Sequence, residues 1–236
     1  MTLSTRIDPI ADGIYRIHTP ISDMPGGFSF NQYLVVDDEP LLFHTGGRKL
    51  FPLVSQAIAK VIPVAKLRWL AYSHFEPDEC GALPDFLAAA PNAQAVCSRV
   101  GAMVCMADFI DKPARALADG ETFSTGKKSF TWIDTPQLPH GWDAGYLHET
   151  TTQTLFCGDL FTQPGADCPA VVSGDILGPS EAFRKAMDYY SHTKDVRRLI
   201  GKVAETNPKR LACMHGSAWE GDGAKLLRAL GDALDA

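Results

Sequence analysis

The sequence predicts an α/β fold in which two mixed sheets pack face to face and helices cover both outer surfaces, an αββα sandwich spanning residues 1–236 as one domain. Three observations predict it. Apolar runs of strand length alternate with stretches whose apolar residues recur at helical spacing. The chain lays out this plan twice, strands first and helices after. Four of the apolar runs also end abruptly in a side chain able to bind a metal, and strand ends in open α/β sheets are where such groups converge on one edge.

Residues 13–17, 32–36 and 41–44 read as an antiparallel opening, the last two runs joined by Asp37-Asp38-Glu39-Pro40, a turn by composition. Leu50, Leu53, Val54, Ala57, Ile58 and Val61 then mark a helix over 49–61. Residues 67–72 form a buried strand, 82–90 a helix stopped by Pro91-Asn92, 94–97 a strand and 100–109 a helix. In the second half, strands are expected over 121–125, 129–134, 144–148 and 154–157, and helices over 180–190 and 194–206. A strand over 210–214 and a helix over 223–234 close the chain. Residues 164–179 form the longest irregular stretch and are expected as a lid over the site.

Composition narrows the function. The chain is 45% hydrophobic with a net charge of -6 and no run of Lys and Arg, so neither nucleic acid nor an anionic membrane is expected as its main partner. A small molecule is. Residues 1–8 contain no apolar leader core and no stretch approaches the roughly 20 apolar residues of a membrane span, which suits a cytoplasmic protein. The cysteines at 80, 97, 105, 157, 168 and 213 lack CxxC spacing and read as reduced thiols. Cys97, Cys105, Cys157 and Cys213 lie in apolar segments as small buried hydrophobes, whereas Cys80 and Cys168 lie in loops.

The chemistry gathers at Ser73-His74-Phe75-Glu76-Pro77-Asp78-Glu79-Cys80-Gly81, directly after the strand at 67–72. An imidazole and two carboxylates stand at every second position, and Pro77, without an N–H, favours a loop. Three more strand ends repeat the arrangement: 130–133 and its loop before His140, 155–157 before Gly158-Asp159, and 211–214 before His215-Gly216. Singly, Asp159 is as well explained as a turn aspartate and His215 as a strand-end histidine. Together they describe a metal site. Phe75, Trp142, Phe161 and Trp219 neighbour these residues in sequence and are candidates for pocket walls or for core.

On these residues the chain resembles the metallo-β-lactamase superfamily. The usual His-x-His-x-Asp-His loop has Glu76 in place of its second histidine, which is similar to the diiron domain of flavodiiron proteins and their stand-alone oxygen-binding relatives. The resemblance implies His74, Glu76 and His140 on one metal, Asp78 and His215 on the other, and Asp159 bridging. These six are also the implied catalytic residues. Two positions depart from the pattern. Glu79 stands where many relatives have a further histidine on the second metal, which leaves that metal short of a protein ligand or bound by a carboxylate; the residue reads as solvated. His44 stands where hydrolytic relatives place a supporting aspartate.

Three imidazoles and three carboxylates are a hard donor set, favouring iron or manganese over zinc. The resemblance therefore implies a non-haem diiron protein that binds dioxygen or nitric oxide. It would act as an oxygen reductase or as an oxygen sensor read by a signalling partner. After His215 the sequence runs only to Ala236, with no flavodoxin-like segment, so no flavin is expected within it and electrons would come from an external donor such as a rubredoxin-like protein. A homodimer is implied by the family alone. The competing enzyme reading is a binuclear zinc hydrolase of an ester, lactone or thioester, against which Glu76 counts.

Overall fold

The computed structural model describes residues 4–235. Its first sheet has seven strands in sequence order: β1 (Arg6–Ala11), β2 (Ile14–Ile21), β3 (Phe28–Val35), β4 (Leu41–Phe43), β5 (Trp69–Ala71), β6 (Gln94–Ser98) and β7 (Arg115–Leu117). Pairing is antiparallel through β4 and parallel from β4 to β7. The change of sense coincides with the first helical crossover, through α1 (Phe51–Ala59). The return from β5 to β6 carries α2 (Pro77–Cys80) and α3 (Leu83–Ala89), and α4 (Ala107–Phe109) precedes β7.

The second sheet contains β8 (Thr122–Ser124), β9 (Ser129–Asp134), β10 (Gly145–Glu149), β11 (Thr154–Phe156), β12 (Val171–Val172), β13 (Arg210–Ala212) and β14 (Ala218–Glu220), in the order β12-β14-β13-β11-β10-β9-β8. Its outer face carries α5 (Leu177–Met187), α6 (Val196–Ala204) and α7 (Gly223–Leu234). Strand alternation produces three apolar layers. Leu41 and Phe43 face the other sheet, where Phe130, Trp132, Leu147, Phe156 and Ala212 meet them. Leu42, between them, turns outward onto Val54 and Ile58 of α1 and Phe86 of α3. In the same way Phe156 points inward, while Leu155 and Leu211 pack under Leu199 and Val203 of α6 and Leu227 and Leu230 of α7. The expected αββα sandwich is what the chain forms.

Phe156 sits at the centre of the middle layer, its ring 5.0 Å from that of Phe43 and 5.7 Å from that of Tyr33. Phe156→Leu should cost about 1–2 kcal/mol, since the aliphatic side chain leaves part of the ring volume unfilled. Urea unfolding measures it, and an unchanged midpoint would mean the layer repacks freely.

Three differences from the sequence reading have physical reasons. The helix expected over 100–109 is a wide π-type turn, Gly101–Met106, running into α4, and Ser98 Oγ accepts the Gly101 N–H at 2.9 Å. Strands β1, β7, β12 and β14 escape pattern reading because they are short or of mixed polarity and join the sheets through backbone pairing. The supposed lid is pinned. Gly165 N–H bonds to Gly27 O, and the Arg16 guanidinium, fully buried, donates to the carbonyls of Cys168 and Pro169 at 2.8 and 2.7 Å. Val171 and Val172 then pair with β14.

Candidate metal centre

All four metal-site segments leave the carboxyl ends of strands, β5 from one sheet and β9, β11 and β13 from the other, so the site lies where the two sheets meet at one edge. Cross-sheet hydrogen bonds hold that edge together. Asn31 of β3 donates from its backbone to Met214 O at 2.8 Å and from Nδ2 to Cys213 O and Gly216 O; Tyr33 Oη donates to Cys213 O at 2.7 Å. Arg16 adds a bond to Gly216 O at 2.8 Å. Gly145 N–H, beyond β9, reaches Ser73 O at 2.9 Å. Gly158 is required before Asp159: its φ is +50°, and a Cβ there would lie 2.6 Å from Ser73 Oγ.

One ligating atom each of His74, Glu76, His140 and Asp159 lies within 4.8 Å of the others. His74 Nε2 and His140 Nε2 are 2.8 Å apart, and each is 3.4 Å from Glu76 Oε2. Asp159 divides its carboxylate between two neighbourhoods. Oδ2 is 3.6 Å from His140 Nε2, and Oδ1 is 3.2 Å from His215 Nε2. Asp78 Oδ2 lies 3.6 Å from that same Nε2. His74, Asp159 and His215 are buried; Glu76, Asp78 and His140 are partly exposed.

Electron pairs converge here, so protons or a cation must stand between them. His215 Nδ1 donates to Ser29 O at 2.8 Å, which leaves Nε2 of the neutral ring with its lone pair facing Asp159 Oδ1. Asp159 Oδ1 is buried and accepts no hydrogen bond. His74 Nδ1 is likewise held, 3.3 Å from Glu79 Oε2, so its Nε2 lone pair faces that of His140. Lone pairs opposed at these distances repel one another unless a cation or protons intervene, and the donor set suits a divalent metal.

The metal-free electrostatics agree. Burial disfavours the His74 imidazolium, yet Glu79, Glu76 and Asp159 outweigh it and raise His74 to about 10. Hydrogen bonds from His140 and His74 hold Glu76 down to about 2. Burial, reinforced by Asp159, pushes Asp78 up to about 6. A metal ion must displace those protons, so affinity should rise with pH by roughly tenfold per unit for each proton released. His74 contributes across pH 5–8, and Asp78 only below about 6. Chelator competition at several pH values checks this; a flat profile would refute it.

Residues 28–216 match the model of the ODP family beta lactamase. The chain belongs to the ODP beta-lactamase family. It is 32% identical over 209 residues to a rubredoxin-oxygen oxidoreductase of Megalodesulfovibrio gigas, covering 84% of this chain and 50% of that protein. It is 26% identical over 242 residues to a nitric oxide reductase of Moorella thermoacetica, covering 93% of this chain and 59% of that protein. The chain therefore spans between half and three-fifths of these relatives. Among solved structures, the rubredoxin oxygen:oxidoreductase of Desulfovibrio gigas superposes with a TM-score of 0.82 at 23% identity, over 98% of this chain and 61% of that one. A flavodiiron core from Synechocystis sp. PCC6803 gives 0.86 at 18%, over 98% and 61%. These likenesses establish the metallo-β-lactamase fold.

Within this ODP-family fold, two sequence expectations need correction. Glu79 is not solvated: it is fully buried and stands outside the group formed by His74, Glu76, His140 and Asp159. Its carboxylate accepts from Ser73 Oγ at 2.6 and 2.7 Å and from His74 N–H at 2.9 Å, and lies 3.3 Å from His44 Nε2. That also gives His44 a place. It is buried in left-handed conformation with φ +64°, between Glu79 and the Met214 sulfur. Glu79 holds His74 by its far nitrogen, the usual second support of a metal-binding imidazole.

The second correction concerns the walls. Phe161 and Trp219 belong to the core beneath α5–α7, while Phe75 and Trp142 are 39% and 58% exposed. A cleft of about 420 Å³ over the site is lined instead by Met24, Phe28, Phe30, Phe183 and Tyr189. The Phe28 ring lies tilted 4.4 Å from that of His215. These residues lie far from the ligands in sequence; the only hint was the Phe28-Ser29-Phe30 alternation, which puts both rings on one face of β3. Sequence reasoning also missed Asp143, whose Oδ2 accepts the Phe75 N–H at 3.0 Å and ties the His74 loop to the His140 loop. Cys80 is buried, its Sγ directed to Glu76 O at 3.3 Å, and burial pushes its thiol pKa up. A larger depression of about 710 Å³, bounded by Asn207, Lys209, Arg210 and Glu220, contains none of the converging groups.

Proposed function

We propose that this chain is a non-haem diiron protein that binds dioxygen or nitric oxide at the site formed by His74, Glu76, His140, Asp159, Asp78 and His215, with electrons supplied by an external donor. The observation that carries this is the oxygen-rich compact group in which Glu76 faces both His74 and His140 at 3.4 Å, with Asp159 turned to either side. The donors favour iron, with manganese or zinc as alternatives. The relatives named nitric oxide reductase and rubredoxin-oxygen oxidoreductase support the same chemistry.

Two iron ions, when bound, would supply one-electron redox chemistry and positions for a diatomic ligand. The chain's own residues set the conditions. His74, held by Glu79, and His215, held by Ser29 O, present Nε2 lone pairs in fixed directions. The carboxylates of Glu76, Asp78 and Asp159 offset the metal charge. Phe28, Phe30 and Phe183 line the approach with apolar surface, which admits a neutral diatomic more readily than a hydrated ion.

Two ferrous ions carry two electrons, short of the four that convert dioxygen to water. Anaerobically reduced protein should therefore react quickly with dioxygen in stopped-flow absorption, yet sustain oxygen uptake only with an added donor such as a rubredoxin-like protein. An oxygen-inert reduced site together with brisk lactone or thioester hydrolysis would replace this reading with the hydrolase. Fast single-turnover reaction with no competent donor would favour the sensor and its signalling partner.

The expectations of a chain folding as one unit, free of flavin, dimeric and cytoplasmic belong to this proposal. Among the described residues no helix is long and apolar enough to cross a membrane. Light scattering should return twice the 25.6 kDa chain mass, and unfolding should show one cooperative transition.

A further inference from the structure

We infer that the two metal positions of this chain are unequal: the position at His74, Glu76, His140 and Asp159 fills first and tightly, and the one at Asp78, Asp159 and His215 fills second and exchangeably. This rests on the dinuclear reading above. Four side chains from three loops surround the first position, each with a ligating atom within 4.8 Å of all the others. Asp78 and His215 stand outside that group. At the second position His215 Nε2 is 3.2 Å from Asp159 Oδ1 and 3.6 Å from Asp78 Oδ2, and those three residues are the protein donors gathered there.

Glu79, next in sequence to Asp78, would be the natural fourth. It is committed elsewhere. Turning it toward the second position would break its bonds from both Ser73 Oγ and His74 N–H and leave His44 Nε2 buried without its carboxylate. In a fully buried setting each such loss costs more than an exposed ligand exchange would return. The second position thus keeps coordination sites that protein does not fill. Asp78, Asp159 and His215 all line the cleft that Phe28 and Phe183 also line, their rings 5.8 Å apart. A metal there would have one imidazole and two carboxylates to hold it, Asp159 being common to both positions, against two imidazoles and two carboxylates at the first.

Cobalt(II) is the probe, titrated anaerobically into the metal-free chain against a chromophoric chelator, with visible absorption reporting coordination. Two steps should appear, separated at least tenfold in affinity. Asp78→Ala should erase the weaker step and leave the tighter one within threefold, whereas Glu76→Ala should erase the tighter one. Circular dichroism confirms that both variants are folded. Two steps of equal affinity, or a tight step weakened as much by Asp78→Ala as by Glu76→Ala, would overturn the inequality while leaving two metals in place. A single step with no second up to millimolar cobalt would remove the second position from this proposal. No binding at all would overturn the metal reading itself.

Discussion

Asp159→Asn should remove at least one ion from the purified chain, with affinity falling by at least about a hundredfold. The amide has one acceptor oxygen and no charge. In the structure Asp159 Oδ2 faces His140 while Oδ1 faces His215, so the substitution removes a donor from at least one side and the carboxylate charge from both. Loss of an outer support alone typically costs 10–100-fold, and a shared ligand costs more. The apo fold should survive, because the loop at Gly158-Asp159 is held by backbone bonds: Met214 N–H to Gly158 O at 2.9 Å and Thr162 N–H to Asp159 O at 3.3 Å. Elemental analysis beside circular dichroism checks both halves. Two metals retained at unchanged affinity would show that Asp159 is not the bridge.

Glu79→Ala should harm the protein twice. Removing one partner of a buried charged network leaves Ser73 Oγ and the His74 N–H without their acceptor and His44 without its neighbouring carboxylate, a cost of about 3–5 kcal/mol in folding stability. It also frees the His74 ring and should weaken metal binding by about 10–100-fold. Burial opposes the Glu79 carboxylate, but His44 and His74 hold its pKa well below the ordinary carboxylate range. A depressed folded pKa means that this stabilisation is present above the unfolded value and is lost as pH falls below it. The wild-type chain should therefore lose more stability than Glu79→Ala on acidification from pH 5 to 3, measured by urea unfolding of metal-free protein. Parallel losses in the two proteins would show that Glu79 is not ionised in the fold. Glu79→Asp, which keeps the charge on a shorter arm, should fall between them.

Much of the architecture was legible because it follows from local periodicity. Leu41-Leu42-Phe43 and Leu155-Phe156 could be recognised as strands from apolar content alone, and α7 was bounded correctly at 223–234 by its apolar spacing. The boundaries that failed depended on other things. Gly101–Met106 widened into a π-type turn, and β12 exists because β14 offers it a partner. Neither cause has a period that a reading along the chain could detect.

The candidate site divides the same way. Which residues could serve as ligands was readable along the chain: His74, Glu76, Asp78, His140, Asp159 and His215 each follow an apolar run, and strand geometry dictates that such positions emerge at a sheet edge. Only the tertiary structure decided what each carboxylate does. Glu79 and Asp78 are neighbours with the same chemistry, yet Asp78 turns toward His215 and Glu79 turns into the interior beneath His74. The difference arises because Ser73 Oγ and the His74 amide stand behind the loop as donors, with His44 Nε2 3.3 Å from the carboxylate, and a buried carboxylate goes where its hydrogen bonds are. The cleft walls were decided likewise. Phe28 and Phe183 come from opposite sides of the sandwich, and their meeting depends on the packing of β3 and α5 rather than on any pattern within either.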